Sequence, residues 1–231
     1  MTDRSAASLR REITIPGPAG RLEGLFELPD GGADTVGGVV VAHPHPLHGG
    51  TMVQPVVHHV ARACRRRGLA TLRFNFRGVE GSEGSFSGLD EYQDAAAAAA
   101  FLRSELGEGM PVAMAGYSFG SIMVSLAAIQ GEAPAGLALI AFPVDIDEFM
   151  PTFFSRLGDY RGPVLALCGE RDEIAPPAGV EHFLRDVGVD PHMVVIPEAD
   201  HFFARRQGGV GEIVGSFLRE ACLATRGGGT L

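Results

Sequence analysis

The sequence predicts one α/β domain: a mostly parallel central sheet with helices on both faces and an antiparallel hairpin at the N-terminus. Two patterns carry this prediction. Apolar strand-like runs alternate with helical stretches at spacings of roughly 25 residues, the rhythm of βαβ crossovers. The first segment instead alternates with period two around a Pro/Gly break, as a hairpin does. Composition agrees with one folded unit, since 231 residues with 45% hydrophobic and only 20% charged side chains can enclose a core. The expected domain is 1–231, with about 1–8 and 226–231 loose and no separate lid domain.

The elements follow in order. Glu12–Ile15 and Leu22–Leu28 flank Pro16-Gly17-Pro18-Ala19-Gly20 and form the hairpin. Gly38–Ala42 is continuously apolar, as a strand buried on both faces requires. Gln54–Arg67 places Val56, Val57, Val60, Ala61 and Cys64 at helical spacing, and Gly68 stops it. Leu69–Asn75 is the next strand, and an alanine-rich helix covers about Leu89–Leu106, started near Asp90 and ended by Gly107. Met110–Gly116 is a strand that runs into Ser118 and a helix over Ile122–Ile129. Strands at Gly136–Phe142, Pro163–Cys168 and His192–Ile196 and a last helix near Gly211–Leu223 complete the chain.

Several function classes drop out early. A net charge of −9 opposes nucleic-acid binding, which needs a concentrated basic face. The basic run Arg65-Arg66-Arg67 sits at a helix end, where it complements the negative end of the dipole. All basic residues are arginine, so lysine Schiff-base chemistry and a P-loop lysine are absent. Three scattered cysteines, Cys64, Cys168 and Cys222, form neither a C-x-x-C pair nor a disulfide framework. The N-terminus has no apolar signal-peptide core, and no stretch approaches ~18 uninterrupted apolar residues. A cytoplasmic protein without a membrane partner is expected.

In a parallel sheet, functional residues gather just beyond the carboxyl ends of the strands. There the sequence carries Gly116-Tyr117-Ser118-Phe119-Gly120, a G-x-S-x-G motif between a strand and a helix. Such a turn strains the serine backbone, tolerates only small residues two before and two after it, and exposes the hydroxyl at a helix N-terminus. A hydroxyl needs a base to take its proton and a third group to fix that base. Asp172 and His201 follow the Pro163 and His192 strands, giving the chain order Ser…Asp…His. Glu170, Glu173 and Asp200 compete with Asp172 for the orienting role, although Asp200 adjoins His201 and neighbouring side chains diverge.

Taken together, the elbow, G-x-x-D, A-D-H-F-F, HPHPLHGGTM and LRFNFRGVEGSEGSF resemble the small bacterial α/β-hydrolases, lidless and related to dienelactone hydrolases and serine esterases. The resemblance covers about Val39 to Phe203. It implies the α/β-hydrolase fold and a triad of Ser118, Asp172 and His201, with Asp172 at the family's offset from Gly169. One departure is visible: Glu80 stands where the family's loop usually carries glycine.

An oxyanion hole needs two backbone N–H donors. Phe119, the residue after the nucleophile, is one. The other belongs to the loop His43–Gly50, where Pro44 and Pro46 have none to give. His45 matches the family position, and Leu47 is second. His43-x-His45-x-x-His48 also resembles the H-x-H-x-D-H zinc cluster of metallo-β-lactamase-type hydrolases, but Leu47 stands at the aspartate position. No metal and no cofactor are expected. His58, His59, His182 and His192 read as ordinary surface or packing histidines, and Arg77 as a brace for the rim or a contact for an anionic substrate group.

Between Phe142 and Pro163 the chain is too short for a lid domain. Leu47, Phe149, Met150 and Phe153, with Phe154, are candidates for an apolar substrate pocket; the phenylalanines and Met150 serve equally as core or a dimer contact. The expected function is hydrolysis of a carboxylic ester or thioester of a small-molecule acyl substrate through an acyl-enzyme. Peptide or amide cleavage on the same triad, and a non-catalytic binding protein of this fold, are the alternatives.

Overall fold

The computed structural model describes residues 10–144 and 154–227. These residues form an eight-stranded sheet and five α-helices. Strands β1 (Arg10–Gly17) and β2 (Gly20–Glu27) are the hairpin, with Ile15 opposite Leu22, both fully buried. Then come β3 (Gly37–Ala42), α1 (Pro55–Arg65), β4 (Leu69–Phe74), α2 (Glu91–Leu106), β5 (Val112–Tyr117) and α3 (Phe119–Ile129). The chain closes with β6 (Leu137–Ile140), β7 (Val164–Gly169), α4 (Pro177–Asp186), β8 (His192–Ile196) and α5 (Gln207–Gly227). The last helix extends beyond the expected Leu223, so Arg226 and Gly227, expected to be loose, are helical.

The sheet order is β1-β2-β4-β3-β5-β6-β7-β8. Only the β1/β2 and β2/β4 pairs are antiparallel; β4 through β8 run parallel. Burial explains the texture of the sequence. Every residue of β3, β4, β5, β6 and β7 is buried, because α1 packs with α5 and α2 with α3 over the central strands. The outermost β8 is only half-buried.

Local chemistry sets the helix ends. Pro55 occupies the first turn of α1, where its missing N–H costs nothing. Ser87 Oγ accepts the Asp90 N–H at 2.8 Å while Glu91 accepts the Ser87 N–H at 2.7 Å, fixing the start of α2. The arginine run at the end of α1 is held by carboxylates: Arg65 by Glu27 (2.9 Å) and Asp30 (3.1 Å), Arg66 and Arg67 by Glu212 of α5. Its role is structural. No helix among the described residues is long and apolar enough to cross a membrane.

Candidate active site

Ser118 lies between β5 and α3 with φ 53° and ψ −120°, a conformation an L-residue holds only under constraint. The constraint is visible. Its N–H donates to Ile140 O of the neighbouring strand at 2.8 Å. A Cβ on Gly116 would sit 2.2 Å from Gly120 O, and one on Gly120 would sit 2.5 Å from Ala42 O at the end of β3. Both glycines of the motif are thus required by close backbone approach.

The sheet brings the other two groups to this turn. Asp172 follows β7 and His201 follows β8, and Arg171 N–H bonds Ala199 O at 2.8 Å to join the two loops. His201 Nε2 is 3.0 Å from Ser118 Oγ. On the far side of the ring, Nδ1 is 2.9 Å from Asp172 Oδ2 and 3.0 Å from Oδ1. The Ile174 and Ala175 N–H groups also donate to Asp172 Oδ1, at 3.0 and 2.8 Å, so the buried carboxylate has its acceptor capacity met. Asp200 accepts the Phe202 N–H at 3.0 Å in a local turn and makes no bond to the imidazole.

Fold and geometry now meet an independent comparison: the family described as "Alpha/beta hydrolase domain" matches residues 37–222. This chain belongs to that family. It is therefore a hydrolase. An α-β serine hydrolase homologue from Coxiella burnetii is 32% identical, with a TM-score of 0.81 over 92% of this chain and 99% of the other. A structure from Xanthomonas campestris, described as an α/β serine hydrolase without lid, is also 32% identical, with a TM-score of 0.80 over 94% and 97%. An uncharacterised protein of Rickettsia prowazekii is 29% identical over 198 residues, 83% of this chain and 82% of that one.

In this α/β hydrolase the loop after β3 folds on itself. The N–H groups of Leu47, His48, Gly49 and Gly50 are all committed: Leu47 to His45 Nδ1 (3.2 Å), His48 and Gly50 to His45 O, and Gly49 to Pro46 O. With Pro44 and Pro46 lacking an N–H, His45 carries the one N–H of residues 44–50 with no bonded acceptor. Its ring packs edge-on to Phe119 and Phe86, each at 5.0 Å. Partial burial and nearby His48 lower the His45 pKa, while Glu91 opposes the shift.

The loop histidines that resemble a zinc cluster make local contacts. His43 Nδ1 bonds Pro44 O at 2.7 Å, and Nε2 accepts the Phe76 N–H at 3.1 Å. Burial lowers its pKa to about 4, so it is neutral. Among the described residues no three His, Cys, Asp or Glu side chains gather in a metal-holding group. Arg77 is turned inward, clasping Asp94 with contacts from 2.8 to 3.2 Å and donating to Asp90 O at 2.9 Å, so it braces the rim against α2. His58 and His59 lie on α1, His182 pairs with Asp186 on α4, and His192 is exposed on β8. Glu80, at the family's glycine position, has φ 47°, the region glycine occupies without cost.

A cavity of about 740 Å³ opens beside Ser118, lined by Pro44, His45, His48, Gln54, Gly88, Leu89, Tyr117, Phe119, Ile122, Met123, Leu126, Pro143, Phe154, Ile174, His201 and Phe202. Leu47 is not among them: it is 73% exposed and points away, because the loop turns at Pro46–His48. That corrects its assignment to the pocket. Phe149, Met150 and Phe153 lie outside the described residues. Phe154 does line the cavity and is fully buried. The α3 side chains were missed in the sequence, where an apolar helix face is indistinguishable from core, and Leu89, Ile174 and Phe202 because loop residues give no such pattern.

Proposed function

We propose that this hydrolase is a serine esterase that cleaves a carboxylic ester or related thioester of a small-molecule acyl compound through an acyl-enzyme. The observation that carries the reading is the continuous contact Ser118 Oγ–His201 Nε2–Asp172, 3.0 Å and 2.9 Å, at the mouth of an apolar cavity.

In the first step, Ser118 Oγ attacks the carbonyl carbon and passes its proton to His201 Nε2. Asp172 accepts the Nδ1–H and stabilises the imidazolium. The oxyanion is met by the Phe119 N–H, in the first turn of α3 where no intrahelical acceptor competes, and by the His45 N–H. Exhaustion of the other loop donors supports His45 over Leu47. The carbon–oxygen bond then breaks, and His201 returns the proton to the departing alcohol. Water repeats the sequence on the acyl-serine and restores Ser118. Neither half-reaction calls for a cofactor or a metal.

The stretch between Ile140 and Val164 is too short for a lid domain, which supports an open, lidless site in one domain. The three cysteines are free and buried, and burial pushes each thiol up to about 12, in keeping with cytoplasmic residence. Fluorophosphonate labelling with peptide mapping tests the reading. Covalent modification of Ser118 and its loss in Ser118→Ala are expected; an unlabelled wild-type protein would overturn it.

A further inference from the structure

We propose that the cavity beside Ser118 is an acyl channel along α3, suited to a straight, unsubstituted chain of about eight carbons, with Leu126 setting the length limit. The inference rests on the esterase reading above and adds the substrate class. Phe119, Ile122, Met123 and Leu126 fall at i, i+3, i+4 and i+7, one face of α3, and all four line the cavity. Ile122 and Leu126 follow Ser118 at i+4 and i+8, so this face of α3 runs away from the serine at its N-terminal end.

The length follows from helix geometry. At about 1.5 Å per residue, eight residues from Ser118 to Leu126 span about 12 Å. An extended hydrocarbon with bonds of about 1.5 Å advances about 1.25 Å per carbon, so an octanoyl chain reaches about 10 Å and brings its methyl to Leu126. Phe154 supplies a fixed wall, held edge-on by Phe142 (5.7 Å) and Phe183 (5.8 Å). Beyond it, the turn Leu157–Asp159 packs against α3, and Tyr160 OH donates to Pro134 O at 3.0 Å, past the end of that helix.

Chemistry sets the direction. The oxyanion faces the two N–H donors and the leaving oxygen faces His201, which leaves the acyl chain the direction of α3. Among the described residues, polar lining is confined to His45, His48, Gln54, Ser118, His201 and Tyr117, and the Tyr117 hydroxyl is already engaged with His201 O. A hydroxylated or charged acyl chain would lose its water without finding partners among the apolar side chains of α3.

A p-nitrophenyl ester series from acetate to laurate tests this. In the wild type, kcat/KM rises about threefold per added carbon up to octanoate and falls for decanoate and laurate. In Leu126→Trp the octanoate-to-acetate ratio drops by about 30-fold or more and the optimum moves to butyrate or shorter; in Leu126→Ala it moves to decanoate. Thermal midpoints check folding, and Met123→Phe repeats the block about one turn nearer the serine if the tryptophan variant does not fold. A flat or falling wild-type series, or blocking variants with an unchanged optimum, overturns the channel. Ser118 labelling combined with a flat series removes the channel alone, whereas an unlabelled wild type removes the esterase reading as well.

Discussion

The hydroxyl of Tyr117 donates to the backbone carbonyl of His201 across 2.9 Å, so the residue before Ser118 holds the main chain of the proposed base. The bond spans 84 residues of sequence and joins the end of β5 to the loop after β8. Burial, with Asp172 and Asp200 adding to it, raises the phenol pKa, which keeps Tyr117 a donor at every working pH. Tyr117→Phe removes the tether without changing ring packing. A drop of about fivefold in kcat with KM little changed is expected from steady-state kinetics, since about 1 kcal/mol of hydrogen bonding is lost.

Replacing Asp172 by Asn tests the orienting role. The amide cannot accept equally from His201 Nδ1–H and the Ile174 and Ala175 N–H groups. The imidazole then adopts the wrong tautomer, and kcat falls about 10⁴-fold by analogy with other triads. Ester turnover measured beside the intact protein checks this, and an effect under tenfold would contradict the assignment.

His43 gives the fold an acid-sensitive post. Its folded pKa of about 4 lies below the ordinary value of 6.5, so between these the unfolded chain binds a proton that the folded one refuses. Stability from this group is full above 6.5 and is lost as pH falls through 4, by up to roughly 3 kcal/mol. His43→Gln keeps an acceptor for the Phe76 N–H but cannot titrate. Its thermal midpoint should be lower at pH 7.5 yet fall less between pH 6.5 and 5.

Glu80 should be improvable. Its positive φ costs an L-residue about 1–2 kcal/mol, and glycine gives back part of that in unfolded-state entropy. Glu80→Gly is expected to gain about 0.5 kcal/mol in chemical denaturation. A loss of stability would show that the glutamate side chain contributes more than its backbone costs.

Much of this was legible because burial writes itself into sequence. The fully buried β3 to β7 appear as apolar runs within two residues of their ends, and Ser118, Asp172 and His201 are each found just beyond one of the strands. Less could be read where meaning depends on distant backbone. His43 serves an N–H that is 33 residues away, which no local pattern encodes. Leu47 looks like a pocket residue until the loop's hydrogen bonds turn it outward. Ile122, Met123 and Leu126 look like core because they are nearly dry, and only the cavity beside them assigns a second use.

The proposed base, His201, follows one of the two edge strands of the sheet. β8 has one strand neighbour, β7, and exposes part of its length, whereas β5, which leads into Ser118, lies among the most enclosed. An outer strand opens at lower free energy than the interior unfolds. Turnover should therefore vanish at a lower urea concentration than far-ultraviolet ellipticity: the chain would still be folded, with its imidazole undocked and its serine merely an alcohol.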